Sequence, residues 1–241
     1  LYLPLHFVFP GSSGAEFDVK KPMPYFTDAA AGLGHVNLVF DQDGVVRRAA
    51  LCFGDHATGQ NWPHLIEQIY RSVHKRSSPA FDQLKDCRQS LLMPYASRGG
   101  YSSISYAALA RGEVPAAFLH DKIVLVGATA SGLGDQYPVP LGDGATLAGV
   151  EIMANLFGAL TRNDFVVPLP YVQQLVLSLI PAWILLIGFW RWHPRTTITV
   201  SFGLIAAIIV VSLTLIQFEL WFAPAAPLLG VILVYPIWGW R

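Results

Sequence analysis

Two hydrophobic patterns meet near Pro170. Up to that point short apolar runs alternate with polar and glycine-bearing turns. Beyond it, Val172–Trp190, Thr196–Phe218 and Leu220–Trp240 hold no charged residue. Each run is close to the ~20 residues that a helix rising ~1.5 Å per residue needs to cross a hydrocarbon core of ~30 Å. The pattern therefore predicts three membrane spans. The middle run is the richest in Leu, Ile, Val and Phe, while the third carries Pro224, Pro227 and Pro236 and is expected to kink. Trp183, Trp190, Trp192, Trp221, Trp238 and Trp240 mostly fall near the span ends, where an amphipathic indole favours the headgroup level.

Ahead of Pro170 the runs predict a mixed α and β domain. Leu1–Phe9 reads as a strand. His35–Phe40, Asp41–Gly44 and Val45–Phe53 read as strand, turn and strand, a β-hairpin. Leu65, Ile66, Ile69, Tyr70 and Val73 share one face of a helix over Pro63–Val73, with Asn61 as its N-cap. A short strand is expected over Leu91–Tyr95 and a short helix over Ser105–Ala110. Ile123–Gly127 is a continuous apolar run, the mark of a strand buried on both faces, and Gly149–Leu160 is the helix that follows it. Pro168-Leu-Pro170 forms a stiff junction. The predicted organisation is an α/β extracytoplasmic domain over residues 1–170 and a three-helix transmembrane region over residues 171–241.

Composition and charge add a setting and an orientation. An apolar fraction of 53% and a mean hydropathy of +0.44 exceed those of an ordinary soluble protein. Of 16 basic and 16 acidic residues, only Arg191, Arg195, Arg241 and Glu219 follow Pro170. The positive-inside rule then places Arg191, Arg195 and Arg241 in the cytoplasm and Glu219 opposite, which leaves residues 1–170 outside a cytoplasmic membrane that the chain crosses several times. No basic run is long enough to track a phosphate backbone, so the lipid bilayer is an expected partner and nucleic acid is not. Cys52 and Cys87 are the only cysteines; a domain of this size buries a core without a bridge, so Cys52 is expected to be a core residue and a disulfide is not required. The absence of an initiator Met or signal peptide before Leu1, and the abrupt end at Arg241, read as a fragment of a longer protein.

Several candidate chemistries fail on spacing. Gly127–Gln136 follows an apolar run, as phosphate-cradling loops do, yet it lacks Gly-Lys-Ser/Thr and does not complete Gly-x-Gly-x-x-Gly. Asp41-x-Asp43-Gly44 opens like a calcium loop, but Val45-Val46 starts a strand where further oxygen ligands would be needed. The histidines show no zinc-ligand spacing, and neither a Gly-x-Ser-x-Gly turn nor a cysteine with an evident base is present. No catalytic residue, metal or cofactor is therefore assigned. Recognition is left: Thr129, Asp135, Glu151 and Asn155 are the candidate ligand-binding or signal-coupling residues. The Thr129–Asp135 loop would sit at the carboxyl end of a strand, where open α/β sheets bind ligands, and Asp135 and Glu151 become a carboxylate pair if it folds back.

Gly34-His-Val-Asn37, Asp43-Gly-Val-Val-Arg-Arg48, Lys122-Ile-Val-Leu-Val-Gly-Ala-Thr-Ala130, Gly132-Leu-Gly-Asp135, Pro140-Leu141 and Gly149-Val-Glu-Ile-x-Ala-Asn155 together resemble the type-two CHASE domain. This is an extracellular sensor attached to bacterial histidine kinases and nucleotide cyclases, typically followed by about three membrane spans. The resemblance covers most of residues 1–170 and is most specific from Lys122 to Asn155. It implies reception of an unidentified small-molecule or environmental signal by a homodimeric receptor. The implied output is a sensor histidine kinase, otherwise a diguanylate or adenylate cyclase, lying beyond Arg241. A membrane-tethered enzyme and a structural anchor without output are the readings of other classes. Two departures stand out. Met153 occupies the position where the family usually has His, and the family's N-terminal membrane helix and opening strands have no counterpart in residues 1–241.

Overall fold

A computed structural model describes residues 1–12, 16–54, 59–87, 89–96, 100–130, 132, 134–142 and 144–239, without the side chains of residues 194 and 235–239. Trp240 and Arg241, used above for the third span and its orientation, lie outside the described residues. The chain divides into two compact units, Leu1–Phe165 and Val166–Arg241, a boundary five residues before the one expected at Pro170.

The first unit begins with β1 (Tyr2–Val8), β2 (Asp18–Lys20), α1 (Pro24–Ala29) and β3 (Gly32–His35). β1 is the middle strand: β3 runs parallel to it from Tyr2 to Leu5, and β2 pairs antiparallel from His6 to Val8. Alternation along β1 buries Leu5 and Phe7 on one face, where Phe17 joins them and Val19, Leu33, Phe53 and Trp62 pack around them. Three two-stranded pairs follow from β4 (Arg48–Ala50) with β7 (Ser90–Leu92), β5 (Cys52–Gly54) with β6 (Asn61–Pro63), and β8 (Gln136–Pro138) with β9 (Thr146–Ala148), all antiparallel.

The expected hairpin is much reduced. Val39 and Arg48 form an isolated bridge across the Asp41–Gly44 turn, whose ends bond from the Asp41 amide to the Val45 carbonyl at 3.0 Å. Arg47 holds that turn by donating to Asp41 and Asp43, while Arg48 donates to Asp41. The ladders of these segments lie elsewhere, β3 on β1 and β4 on β7, and a single bridge joins the two sides of the turn.

α2 (Leu65–His74) begins later than its periodicity suggested, because Asn61–Pro63 is taken into the β5–β6 pair. Its N-cap is His64 rather than Asn61, with the ring Nδ1 accepting from the Ile66 amide at 3.1 Å. Inside α2, buried Glu67 accepts from Arg71 Nε at 2.9 Å and from the amide and hydroxyl of Ser78, the residue that caps α3 (Pro79–Asp82). α4 (Tyr106–Ala110) and a 3₁₀ turn over Ala116–Phe118 bury nothing. α5 (Gly149–Arg162) buries Ile152, Leu156, Ala159 and Leu160 and meets α2 where Tyr70 and Phe157 stand 6.5 Å apart.

One expectation fails outright. Residues 123–127 form no strand, and Ile123, Val124 and Val126 are 44%, 49% and 73% exposed rather than buried on both faces. A run of β-branched residues states a preference, but the ladder needs a neighbour, and none of the described residues pairs with this run. Cys52 is buried, as predicted, and it is bonded to Cys87, closing a loop with a sequence separation of 35.

In the second unit α6 (Tyr171–Arg191), α7 (Pro194–Gln217) and α8 (Ala225–Gly239) pack around a cluster of Leu185, Ile208, Phe222, Val231 and Val234. β10 (Val167–Pro168) pairs in parallel with β11 (Leu220–Trp221), which ties the start of α6 to the turn after α7. Two helices, Tyr171–Arg191 and Arg195–Gln217, are long and apolar enough to cross a membrane; α8, at 15 residues, falls short of the span expected over Leu220–Trp240.

Candidate functional site

A cavity of about 900 Å³ opens in the first unit. Its lining comes from β1, from Val36 to Phe40, from one side of α2, from residues 122–127 and from the first turns of α5. Most of the lining is apolar, with Leu65, Ile66, Ile69, Val150 and Met153 from the two helices. Asp135 and Tyr137 supply polar groups on one side, and His6, Asn37 and Lys122 also line the cavity.

Asp135 is fixed there by the way the chain enters α5. Its carbonyl accepts from the Gly149 amide at 3.2 Å, and a Cβ added at Gly149 would stand 2.6 Å from Asp135 Oδ1. Only glycine lets the helix start this close to the carboxylate. Gly127 makes a similar approach to the next residue, since its Cβ would lie 2.5 Å from Cβ of Val150. The Tyr137 phenol is pushed above its ordinary pKa by burial first, then by its hydrogen bond to Asp135 and that carboxylate's charge. A carboxylate and a phenol side by side beneath an apolar cavity can orient a ligand that carries a donor or a positive charge.

The four predicted site residues separate in space. Asp135 lines the cavity. Thr129 lies nearby along the chain, its carbonyl accepting from Gln136 Nε2 at 3.5 Å, and it is exposed. Glu151 is exposed on α5 and is not part of the cavity lining, so no Asp135–Glu151 carboxylate pair forms there. Asn155 is buried to 3% and serves as a tether: its Oδ1 accepts from the Ala96 amide at 2.8 Å and its Nδ2 donates to the Glu151 carbonyl at 2.8 Å. Tyr137 and Met153 are lining residues that spacing alone did not single out. Met153, standing where the resembled family usually has His, brings a buried thioether to the cavity.

A second buried constellation lies apart from the lining. His35 and His64 meet edge to face with ring centroids 4.7 Å apart, both fully enclosed. Neither ring nitrogen of His35 has a partner among the described residues. Burial, with the neighbouring His64 as a lesser cause, lowers the His35 pKa far below normal, and burial lowers that of His64 to about 3. Among the described residues no group of three or more His, Cys, Asp or Glu is placed to hold a metal; His56 lies outside them.

A mixed α/β domain with a mostly apolar cavity, continued along the chain by apolar helices, has the plan of a membrane-associated receptor module. The CHASE2 domain family matches residues 8–193, and the chain belongs to that family, whose domain is an extracellular sensor typical of bacterial receptors. No curated protein and no solved structure matches the chain.

Proposed function

We propose that this chain is the signal-sensing and signal-transducing part of a multi-pass receptor of the bacterial inner membrane. Its output is a sensor histidine kinase encoded beyond Arg241, with a diguanylate or adenylate cyclase as the alternative output. The observation that carries this reading is the placement of Asp135. It lines the cavity and is bonded through its carbonyl to the first residue of α5, and α5 leads within eight residues from Arg162 to Pro170, where the apolar helices begin. A ligand can shift such a system only by binding one of two states more tightly, so a group touching both cavity and helix start is where the bias enters.

The Cys52–Cys87 bond supports an extracytoplasmic location, since disulfides persist in oxidising compartments. The receptor acts as a homodimer, and residues 220–240 are its third span. The test is the dose response of the full-length receptor. Asp135→Ala should shift the half-maximal signal at least tenfold with expression and membrane insertion unchanged, and Glu151→Ala, lying off the cavity, should shift it less. A wild-type response from Asp135→Ala at normal expression would move sensing elsewhere. Reading the gene past Arg241 settles the output, because a kinase or cyclase sequence supports this proposal and an immediate stop codon rejects it.

A further inference from the structure

Between α7 and α8 the second unit has a cavity of about 340 Å³, lined among the described residues by Ile198, Ser201, Phe202, Ile205, Val231 and Ile232. All but Ser201 are apolar, and the Ser201 hydroxyl donates to the Thr197 carbonyl of its own helix at 2.9 Å. Ile198, Phe202 and Ile232 are 50%, 69% and 57% exposed, so the cavity opens sideways as a groove.

Arg195, Ile198, Phe202 and Ile205 recur at intervals of three, four and three, which places Arg195 on the side of α7 that lines the groove. The ten residues from Arg195 to Ile205 rise ~15 Å at ~1.5 Å per residue, half of a hydrocarbon core of ~30 Å. The groove therefore has the depth of one leaflet. Trp190 and Trp192, exposed where α6 ends, are the residues expected at headgroup level.

Among the described residues no acidic group pairs with Arg195. The second unit contains one acidic residue, Glu219, whose carbonyl accepts from the Val167 amide at 2.7 Å beyond the opposite end of α7. A second copy lying alongside in the same orientation has its one acid at that far end too, so it offers this guanidinium nothing. A zwitterionic headgroup would bring an amine with no acid to meet it. A phospholipid of net negative charge supplies both missing parts, an acyl chain for the groove and a phosphate for the guanidinium.

We infer that the α7–α8 groove holds an acyl chain of an anionic phospholipid whose phosphate accepts from the Arg195 guanidinium. The inference rests on the membrane placement of α7 in the reading above and is independent of the signal and of the output.

The test is native mass spectrometry of the intact 241-residue chain in detergent micelles. The chain is purified from carbonate-washed membranes, so its insertion is established before lipid is counted. Phosphatidylglycerol and phosphatidylcholine with identical acyl chains are offered together at equal concentration, and the chain should retain at least five times more phosphatidylglycerol. Arg195→Gln should abolish that preference, while Arg191→Gln, on the neighbouring helix, should keep at least half of it. Ile198→Trp fills the groove and leaves both arginines in place; it should cut retained phosphatidylglycerol at least threefold, with helix content by circular dichroism unchanged. Equal retention of the two lipids by the unaltered chain would overturn the inference. An equal loss from the two arginine variants would reduce the effect to diffuse charge, and undiminished retention by Ile198→Trp would reduce it to headgroup adsorption; either result rejects the site.

Discussion

His64 shows how one side chain ties helix initiation to pH. Its Nδ1 must keep a lone pair to accept from the Ile66 amide, so the ring is neutral when it caps α2. The folded pKa of about 3 lies below the ordinary 6.5, and that of His35 is lowered in the same direction. The unfolded chain therefore binds these protons first as pH falls. The stability that each neutral ring contributes is complete above pH ~6.5 and is lost below it, at about 1.4 kcal/mol per pH unit per ring. Urea titration of the intact chain in micelles should show the midpoint falling steeply from pH 6.5 to 4.5, with a smaller fall in His35→Leu. Equal slopes in both would show that the His pair does not control acid sensitivity. His35→Leu itself should be neutral or stabilising at pH 7.5, since it removes two buried nitrogens that have no partner.

Other residues at this scale were only partly legible. Asp135 stood out as a lone acid in a glycine-rich loop, and it does line the cavity, but its Tyr137 partner could not be read because the contact depends on the β8 path. The Cys52–Cys87 pairing was hidden for the same reason, since β5 and a loop 35 residues later meet only in three dimensions. Closing a loop of that length stabilises by about 4 kcal/mol in the chain-entropy account. Reduction should lower stability by roughly 2–4 kcal/mol on that basis; an unchanged urea midpoint after complete thiol labelling would restore the view that the bridge is dispensable.

Among the elements, α5 was the most legible, because its apolar period, the glycine start and Asn163 after its end all agree with a helix over Gly149–Arg162. The 123–127 run was the least legible, since apolar continuity cannot reveal whether a neighbouring strand is present. Asn155 belongs to α5 as architecture: replacing it with Ala would remove the acceptor of the half-buried Ala96 amide, a loss of about 1 kcal/mol. Asn155→Ala should therefore lower the urea midpoint, whereas Glu151→Ala, exposed on the same helix, should not. A stable Asn155→Ala chain with an altered signal response would return this residue to the signalling group.

At the scale of the whole molecule the prediction concerns the number of membrane spans in the second unit. α6 and α7 qualify by length and composition, and the β10–β11 pair places the start of α6 and the turn after α7 at one end of this unit, opposite Arg191 and Arg195. The positive-inside rule predicts Arg191 and Arg195 on the cytoplasmic side and Glu219 on the other. α8 alone covers about 22 Å at 1.5 Å per residue, short of a hydrocarbon core of ~30 Å. The three residues Phe222–Pro224 ahead of it lie outside any helix, and at ~3.3 Å each they would add about 10 Å of extended chain. Phe222 is buried in the helix cluster, and its carbonyl accepts from Ser212 at 2.9 Å, so this lead-in already satisfies part of its backbone within the bundle. Val231 and Val234 pack with Leu185 of α6, and α8 carries no charge on any face, as expected of a helix running beside a full span. The expected topology is three crossings. A periplasm-active reporter should be silent when fused after Arg195, active when inserted between Phe218 and Glu219, and silent again after residue 241. Strong activity at the last position would make α8 a re-entrant helix and the chain a two-span protein, and activity after Arg195 would invert the whole orientation.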